Sequence, residues 1–398
     1  MKLKMNYHKI KSVCYRLFVI SQYLFFKIIG LSPWSIDASE ILTGNQRIET
    51  HNFRYYFSYI GMCYNIIFIV VTSSLNIYCF NYIKSMKILD QIFGIFQNTF
   101  ACLSSFCIIF IVLIITARHK LIMNFINIHL RNVDKNLNTC ADYEIKYECI
   151  NDVIFASNFI VTSTIAIVRQ FFSKSKLIVF ISLPNFLTTW PLIHYTIFIN
   201  IIKLRFKSIN SMLLKLGTTE SKILRSRELI LHDLDSIKRA YAELCKGCDE
   251  IVTFYEVPTL IVILIFSTKT IRSLYYMVIQ LISAPKIDSL TYLTGLSLLY
   301  PIYIFIYFTS SVTKVVKEVS KYNKETVRII NLLRDRFDMD EEIFKKLVKF
   351  SSYLPYLTVE FTCCGIIPLD RTLLMIASST IASYLVISVQ FYISLSAN

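Results

Sequence analysis

The sequence predicts an all-α membrane protein with seven transmembrane helices. Of its 398 residues, 55% are hydrophobic and 17% are charged, and the mean hydropathy is +0.53. A soluble domain carries roughly 25% charged residues. The deficit is concentrated in apolar runs of about 20 residues, the length that crosses the hydrocarbon core of a bilayer. The seven predicted spans are Tyr55–Phe80, Gln97–Ala117, Ile150–Phe171, Leu177–Ile202, Ile251–Thr268, Leu290–Val312 and Arg371–Leu395.

The segment before the first span is basic and then apolar from Leu17 to Phe26. Lys27 follows this apolar run, and no small-residue cleavage site comes after it, so the pattern differs from that of a secretory signal peptide. We expect a retained amphipathic segment that lies at the membrane surface.

The distribution of Lys and Arg predicts the orientation. Most of the 42 basic residues lie in segments on the same side as the N-terminus, and the bias remains when only residues near the span ends are counted. The N-terminus is therefore predicted to be cytoplasmic and, after seven spans, the C-terminus extracellular. Topology and contact with anionic membrane lipids account for the net charge of +15, so nucleic acid is not an expected partner.

Two long cytoplasmic segments continue the helical pattern of the spans beside them. One apolar stripe leads into span 5, a second leaves span 6, and an acidic run opens a third amphipathic helix. Packing within one subunit and a cytosolic platform shared by several subunits both explain these stripes. The stripe residues are Leu231, Leu234, Ile237, Tyr241, Leu244, Cys248 and Ile251; then Val312, Val315, Val316, Val319 and Tyr322; then Asp340-Glu341-Glu342 with Ile343, Phe344, Leu347 and Val348.

These patterns predict six regions along the chain. They are a cytoplasmic N-terminal segment with an amphipathic helix (1–54), spans 1 to 4 (55–202), a cytosolic helical extension (203–250), spans 5 and 6 (251–312), a second cytosolic extension (313–370) and the last span (371–398).

The last span carries a row of small polar side chains. Pro368 and Asp370 resemble a helix start, with Pro in the first turn and an acid near the helix dipole. From Thr372 onward the span has no charge, which argues against a proton relay. Polar groups are costly against lipid, so the row predicts either hydrogen bonds between helices or the wall of a conduit. Its members fall within an arc of about 60° and are Thr372, Ser379, Ser383, Gln390 and Ser394.

The end of this span resembles a family motif. Residues Ser383-Tyr384-Leu385-Val386-Ile387-Ser388-Val389-Gln390-Phe391 resemble the T-Y-x₅-Q-F motif of insect gustatory receptors. Ser383 replaces the usual Thr, and Ser388 replaces a residue that is usually apolar. Phe361-Thr362-Cys363-Cys364-Gly365-Ile366-Ile367-Pro368-Leu369-Asp370-Arg371 and Gly30-Leu31-Ser32-Pro33 are also similar to family segments.

The resemblance implies a tastant-gated, non-selective cation channel built from four related subunits, as a homo- or hetero-tetramer in the plasma membrane of chemosensory neurons. It implies that helix 7 lines a central pore and that the cytosolic extensions form a shared anchor. The motif's last two residues, Gln390 and Phe391, would lie at the constriction, and four Phe rings would form an apolar gate. Ser383 and Tyr384 match the motif but are expected to be packing and hydrogen-bonding residues.

The resemblance also implies a ligand pocket in the outer half of the helical bundle. The side chains in that region are aromatic or carry hydroxyls, and few are acidic, which favours an apolar or alkaloid-like tastant over a sugar. His194 is expected to be a hydrogen-bonded residue of the bundle. The candidate pocket residues are Thr162, Thr164, Trp190, Tyr292, Ser297 and Tyr300.

Alternative functions are an insect odorant receptor of the same channel type and, with less support, a G-protein-coupled receptor, whose termini lie on opposite sides to those predicted here. A transporter would show internal repeats or charges near mid-membrane. No arrangement of catalytic residues can be argued, so we expect neither an enzyme nor a cofactor or metal site. The isolated Cys245-Lys-Gly-Cys248 has no partner ligands in the sequence around it.

Overall fold

The computed structural model describes residues 18–36, 55–85, 92–140, 150–172, 187–217, 227–283, 289–336, 345, 348–349, 352 and 359–396. Helices dominate this part of the chain, as predicted. In chain order they are α1 (Phe18–Ile28), α2 (Tyr59–Ser85), α3 (Ile92–Ala117), α4 (His119–Asn124), a π-helical turn (Phe125–Leu130), α5 (Arg131–Asn138), α6 (Ile150–Phe172), α7 (Trp190–Gly217), α8 (Arg227–Ser283), α9 (Ser289–Arg336) and α10 (Arg371–Ser396).

Each of the seven predicted spans overlaps a helix over most of the residues that the structure describes. By length and composition, four described helical stretches can cross a bilayer, and α3 with α4–α5, bent by 51°, is a possible fifth. The other two predicted spans correspond to α7 and α9. The first part of span 4, including Pro184, lies outside the described residues, whereas Pro191 lies in the first turn of α7, where proline is tolerated.

Helix α8 is longer than the sequence predicts. The apolar run of span 5 ends at Thr268, and the sequence predicts a loop after it. In the structure the helix continues to Ser283. Lys269 and Arg272 lower the hydropathy of this stretch without opposing helix formation, and it contains neither Gly nor Pro. Pro258 lies inside the helix without ending it.

The apolar stripe that leads into span 5 is buried against other parts of the same chain. Its described side chains, from Leu234 through Ile251, are at most 5% exposed, and α8 packs on α7, α3, α5 and the π-helical turn. Packing within one subunit therefore accounts for this stripe. On α9, Val312, Val315 and Val319 are buried, but Val316 is 39% exposed. The predicted helix that opens at 340–342 lies largely outside the described residues.

Two short antiparallel strand pairs interrupt the helical architecture. Ser35–Ile36 (β1) pairs with Tyr55–Tyr56 (β2), so α2 begins at Tyr59 and not at Tyr55. Thr362–Cys363 (β3) pairs with Ile367–Pro368 (β4) immediately before α10. Pro368 was expected in the first helical turn, and this was wrong because the strand pair holds it in extended conformation.

The segment of α1 packs more deeply than a surface helix. Phe26 is 3% exposed, and its ring lies 5.6 Å from that of Phe155. After α1 the chain turns at Gly30, whose φ of +80° favours glycine, and a Cβ there would lie 2.9 Å from Val112 Cγ1. This face of α1 is therefore part of the core, and the position of the segment at the membrane surface stays a prediction.

Candidate functional site

Helix α10 has a packing face. Its half-buried residues meet α8 and, over a smaller area, α9. Near the C-terminal end the Tyr392 ring meets that of Tyr275 edge to face, with centroids 6.5 Å apart. At 100° per residue these positions span an arc of about 120°. The packing face of α10 consists of Leu374, Ala377, Ile381, Leu385, Ser388, Val389 and Tyr392.

The polar row predicted in the last span, here called the polar seam, lies on the other side of α10. Its centre is about 170° around the helix from that of the packing face. All five side chains are exposed in the single chain: Thr372, Ser379, Ser383, Gln390 and Ser394. The seam therefore points away from the bundle of its own subunit, and hydrogen bonding to other helices of this chain does not explain it.

The seam hydroxyls donate to nearby groups of their own segment. Ser379 Oγ lies 2.9 Å from the Ile376 carbonyl oxygen, and Ser383 Oγ lies 3.0 Å from that of Ser379. Thr372 bonds to the Asp370 carboxylate. Because the hydroxyl protons of Thr372, Ser379 and Ser383 are used within the segment, the lone pairs of these three oxygens remain available as acceptors. Such a surface suits water or a cation.

Gln390 and Phe391 are both exposed, Phe391 to 67%. Consecutive residues on a helix point about 100° apart. If the seam faces a central axis, Gln390 points at that axis and Phe391 points to one side of it. The two motif residues therefore have different surroundings, although the sequence places them together.

Two further residues of the motif, Tyr384 and Ser388, point only about 40° apart on α10 but differ in burial. Tyr384 is 57% exposed, so more than half of its surface is not covered by the described part of the chain. Ser388, where the family usually has an apolar residue, is half-buried on the packing face, and its hydroxyl donates to the Tyr384 carbonyl oxygen at 2.7 Å. The internal bond makes a hydroxyl acceptable at an otherwise apolar contact.

Asp370 caps α10, as predicted from its position before the span. Its carboxylate accepts the Thr372 backbone N–H at 2.8 Å. The hydrogen bond with the Thr372 side chain holds the pKa of Asp370 below its ordinary value. The preceding turn uses Cys364 and Gly365 in left-handed conformation, with φ of 52° and 67°. These features fix where α10 begins.

The candidate pocket residues are not gathered into one described site. The Thr162 and Thr164 hydroxyls donate to carbonyl oxygens of α6, those of Asn158 and Ile160. Trp190 is fully buried, with its ring 4.3 Å from Phe25 and 5.2 Å from Phe155. Tyr292, Ser297 and Tyr300 lie on α9, and their side chains are outside the described part of the structure.

An aromatic cluster around His194 was not predicted from the sequence. The Tyr255 hydroxyl lies 2.8 Å from His194 Nδ1, so the expected hydrogen-bonded histidine is confirmed. The Trp34 ring is nearly parallel to the His194 ring, with centroids 6.0 Å apart, and the Phe26 ring centroid lies 4.4 Å from that of His194. The cluster fastens the N-terminal segment to α7 and α8. The one feature of the sequence that pointed to this region was the similarity of Gly30-Leu31-Ser32-Pro33 to a family segment.

Cys245 and Cys248 are buried in α8. Burial raises the pKa of the Cys245 thiol to about 12, and the pKa of Cys248 is raised as well. Such thiols stay protonated and unreactive at neutral pH. Among the described residues no group of three or more His, Cys, Asp and Glu side chains is arranged to hold a metal ion.

Comparison with known proteins decides the family. The model of the 7tm chemosensory receptor family matches residues 20–395, nearly the whole chain. The chain belongs to the 7tm chemosensory receptor family. It is therefore a multi-pass membrane receptor and not an enzyme. A search of curated proteins gave no match.

Two solved structures have the same fold as this 7tm chemosensory receptor. One is the insect olfactory receptor OR5 from Machilis hrabei, with 8% identity and a TM-score of 0.60. The other is OR5 from Machilis hrabei in complex with eugenol, with 9% identity and a TM-score of 0.55. Each match covers 96% of this chain and 99% of the other. The predicted helical membrane fold is confirmed by this likeness.

Proposed function

We propose that this chemosensory receptor is a subunit of a tastant-gated, non-selective cation channel, in which four subunits place α10 around a central pore. The observation that carries the proposal is the position of the polar seam, which lies opposite the face by which α10 joins its own subunit.

Most of α10 is not covered by its own chain. In the apolar stretch of α10 that could cross a bilayer, only 6% is buried in the chain. The corresponding stretch of α8 is 44% buried. A membrane helix so exposed meets lipid, other subunits or water. Lipid contact suits Met375 and Ile376, which are 74% and 54% exposed. It does not suit Gln390, because an amide in hydrocarbon loses its hydrogen bonds with water.

A closed ring of subunits would give the apolar side of α10 contact with lipid or protein and its polar seam contact with water. Each α10 would turn its polar seam to the shared axis, where water fills the space between the helices. The acceptor oxygens of Ser379 and Ser383 would then line a hydrated path, and the amide oxygen of Gln390 would meet a passing cation. Without carboxylates in the seam, strong selection among cations is not expected.

The gate is assigned to the outer end of α10. Phe391 points about 100° away from the Gln390 direction, so its ring would lie between neighbouring copies of α10. In that position it would hold the helices together in the closed state. A ligand that binds the open arrangement more tightly shifts the population toward it.

We further propose that the ligand is a small apolar or alkaloid-like molecule held in the outer half of the bundle. The eugenol in the complex with OR5 from Machilis hrabei is a small aromatic molecule bound to a protein of the same fold. Hydroxyls at Thr162 and Thr164 and the aromatic residues Tyr292 and Tyr300 with Ser297 are the candidates for contact. Trp190, buried among Phe side chains, would support that pocket from below.

The gustatory assignment depends on the motif from Ser383 to Phe391, and the second candidate is an odorant receptor. The fold does not separate the two types, because the likeness to OR5 at 8% and 9% identity shows the fold alone. A gustatory channel would respond to water-soluble tastants when expressed alone or with related receptors at the plasma membrane of chemosensory neurons.

The experiment is patch-clamp recording of excised membrane from cells that express the chain, with a panel of bitter alkaloids, sugars and volatile aromatics and no added nucleotide. Current evoked by an alkaloid supports the proposal. Responses to sugars alone would overturn the ligand class, responses to volatiles alone the gustatory assignment, and dependence on added nucleotide the channel itself.

A further inference from the structure

The π-helical turn docks on α8 at a glycine. A Cβ at Gly247 would lie 2.8 Å from Phe125 Cδ2 and 3.2 Å from His129 Cβ, so a larger residue would push the turn away from the helix. Glu243 and Glu250 lie before and after Gly247 on α8. Because they are seven positions apart, their directions differ by only about 20°, and their Cα atoms are about 10 Å apart along the helix axis. The turn therefore docks between two carboxylates on one side of α8.

The His129 ring lies between these two carboxylates. Its Nδ1 is 2.9 Å from Glu243 Oε2, and its Nε2 is 3.5 Å from Glu250 Oε2. The side chain of His129 is 15% exposed, so it is largely shielded from water but still open to exchange of protons with the solution. Each ring nitrogen thus faces an acceptor of its own.

A neutral ring cannot satisfy both carboxylates. Neutral imidazole carries one N–H, and its other nitrogen is an acceptor, whereas an ionised carboxylate only accepts. With the proton on Nδ1, Glu243 is bonded, but the Nε2 lone pair faces Glu250. Glu250 Oε2 is buried and has no hydrogen-bond partner in the described part of the chain. A second proton, on Nε2, would turn this unfavourable contact into a charge-assisted hydrogen bond.

The other charges of α8 at this level do not supply that bond. Lys246 donates to Glu243 at 3.3 Å, which is the carboxylate that already has a partner. Asp249, the neighbour of Glu250, is itself an acid. On α8, the bonding of the two carboxylates is therefore unequal unless His129 carries the second proton.

Charges on the other helices packed against the turn are paired elsewhere or exposed. Arg205 pairs with Asp134 of α5 at 3.0 Å, and His119 Nδ1 of α4 lies 2.8 Å from the Thr116 carbonyl oxygen. The remaining charged side chains of α4 and α5 are exposed and are Lys120, Arg131 and Lys135. The group that faces Glu250 Oε2 is therefore Nε2 of His129.

On the predicted orientation this site is cytosolic. The π-helical turn belongs to the segment between spans 2 and 3, and Glu250 comes directly before span 5. Imidazole is the side chain whose charge ordinarily changes between about pH 5 and 8. We propose that His129, Glu243 and Glu250 form a proton-binding site on the cytosolic face, in which a proton on His129 Nε2 completes a bridge that holds the π-helical turn against α8.

The consequence for gating rests on the proposed channel function. Helix α8 extends from this site to Tyr275, whose ring meets that of Tyr392 in α10. A bridge that ties α8 to the turn opposes movement of α8. When the cytosol is acidic, more ligand would therefore be needed to shift the receptor toward the open arrangement.

The first experiment does not depend on channel activity. Thermal unfolding of the purified full-length receptor in detergent is measured at about pH 8 and about pH 6. The test variant is Glu250→Gln, whose amide N–H can donate to the Nε2 lone pair, so that the bridge forms without the second proton. The controls are Glu360→Gln, at an exposed carboxylate, and His232→Gln, at an exposed histidine of α8.

We expect Glu250→Gln to melt at least about 1 °C above the wild type at pH 8 and to lose this advantage at pH 6. His129→Gln should melt below the wild type, and by more at pH 6 than at pH 8, because only the wild type gains the second bond on acidification. The two controls should follow the wild type at both pH values. A purely structural role would give differences that do not change with pH.

The second experiment records from excised inside-out patches with the most active alkaloid of the panel. A change of cytosolic pH from about 7.5 to about 6.5 should raise the concentration for half-maximal current by about 5-fold or more in the wild type. In Glu250→Gln this concentration should be raised about equally at both pH values. Absence of current in every patch would count against the channel, and the melting comparison would still decide the proton site.

Three results would overturn the proposal. The first is the same pH dependence of melting in the wild type and in a folded Glu250→Gln. The second is a fall in the half-maximal concentration on cytosolic acidification, which would contradict the opposition to movement of α8. The third is an equal response to acid applied only to the outer face, which would place the proton site elsewhere.

Discussion

Gln390 and Tyr392 are two positions apart in α10 and face opposite sides of the helix. Tyr392 packs edge to face on Tyr275 of α8, whereas Gln390 is exposed and points away from the subunit. Since the described part of α8 carries a long buried face, Tyr392 joins the end of α10 to the core. A movement of α8 would therefore rotate or shift the direction in which Gln390 points.

Replacement of Gln390 is expected to change permeation and not assembly. Gln390→Lys would place a cation at the constriction in every subunit and reduce cation current by about 10-fold or more. Gln390→Glu is expected to raise the relative permeability to divalent cations. Single-channel conductance and reversal potentials measure both effects. Ser388→Ala, on the packing face, is the control, and equal behaviour of Gln390→Lys and wild type would contradict the prediction.

Phe391→Ala is expected to raise the current in the absence of ligand. Removal of the ring takes away apolar contact that we assign to the closed state, so the closed population falls. The measurement is basal current at matched surface expression, compared with that of Tyr384→Ala, another exposed aromatic residue of the same helix. Unchanged basal and evoked currents would count against the gate.

Gly61→Ala is expected to destabilise the receptor by about 1–3 kcal/mol, because a Cβ at this position would lie 2.1 Å from the Pro33 carbonyl oxygen. The turn after α1 could then no longer dock. Thermal unfolding followed by size-exclusion chromatography measures the loss. Gly295→Ala is the control, since its nearest contact is 3.4 Å from the end of the flexible Met277 side chain. Equal melting temperatures for the two variants would refute this account.

Glu243 gives a prediction for pH. Burial by itself would raise its pKa, but the bonds with His129 at 2.9 Å and Lys246 at 3.3 Å outweigh burial and hold the pKa of Glu243 below the ordinary value of 4.5. The ionised carboxylate therefore stabilises the folded chain above that value, and the contribution disappears as the pH falls through the lowered pKa.

Glu243→Gln is accordingly expected to melt at a lower temperature than wild type at pH 7, with the difference shrinking below about pH 4.5. Thermal unfolding across pH measures it, and Glu360→Gln, at an exposed carboxylate, is the control. A difference that stays constant down to pH 3 would show that the ionised form is not responsible.

The polar seam could be predicted from the sequence because it depends only on the 100° step of a helix. The same holds for the stripe from Leu234 to Ile251. The contact of Trp34 with His194 could not be predicted, since the two residues are 160 positions apart and neither has a local pattern that names the other. The extension of α8 past Thr268 was missed because Lys269 and Arg272 change hydropathy, which is not a measure of helix formation.

The central claim is that the polar seam lines the conduction path, and cysteine accessibility tests it most directly. Cysteine would be placed at Ser383 or Gln390 of the seam and at Leu385 of the packing face, in a background first shown to be insensitive to a charged, membrane-impermeant thiol reagent. We predict that the reagent blocks ligand-evoked current for Ser383→Cys and Gln390→Cys, and faster in the open state, while Leu385→Cys is unaffected. Block of Leu385→Cys with insensitivity of both seam variants would contradict the account.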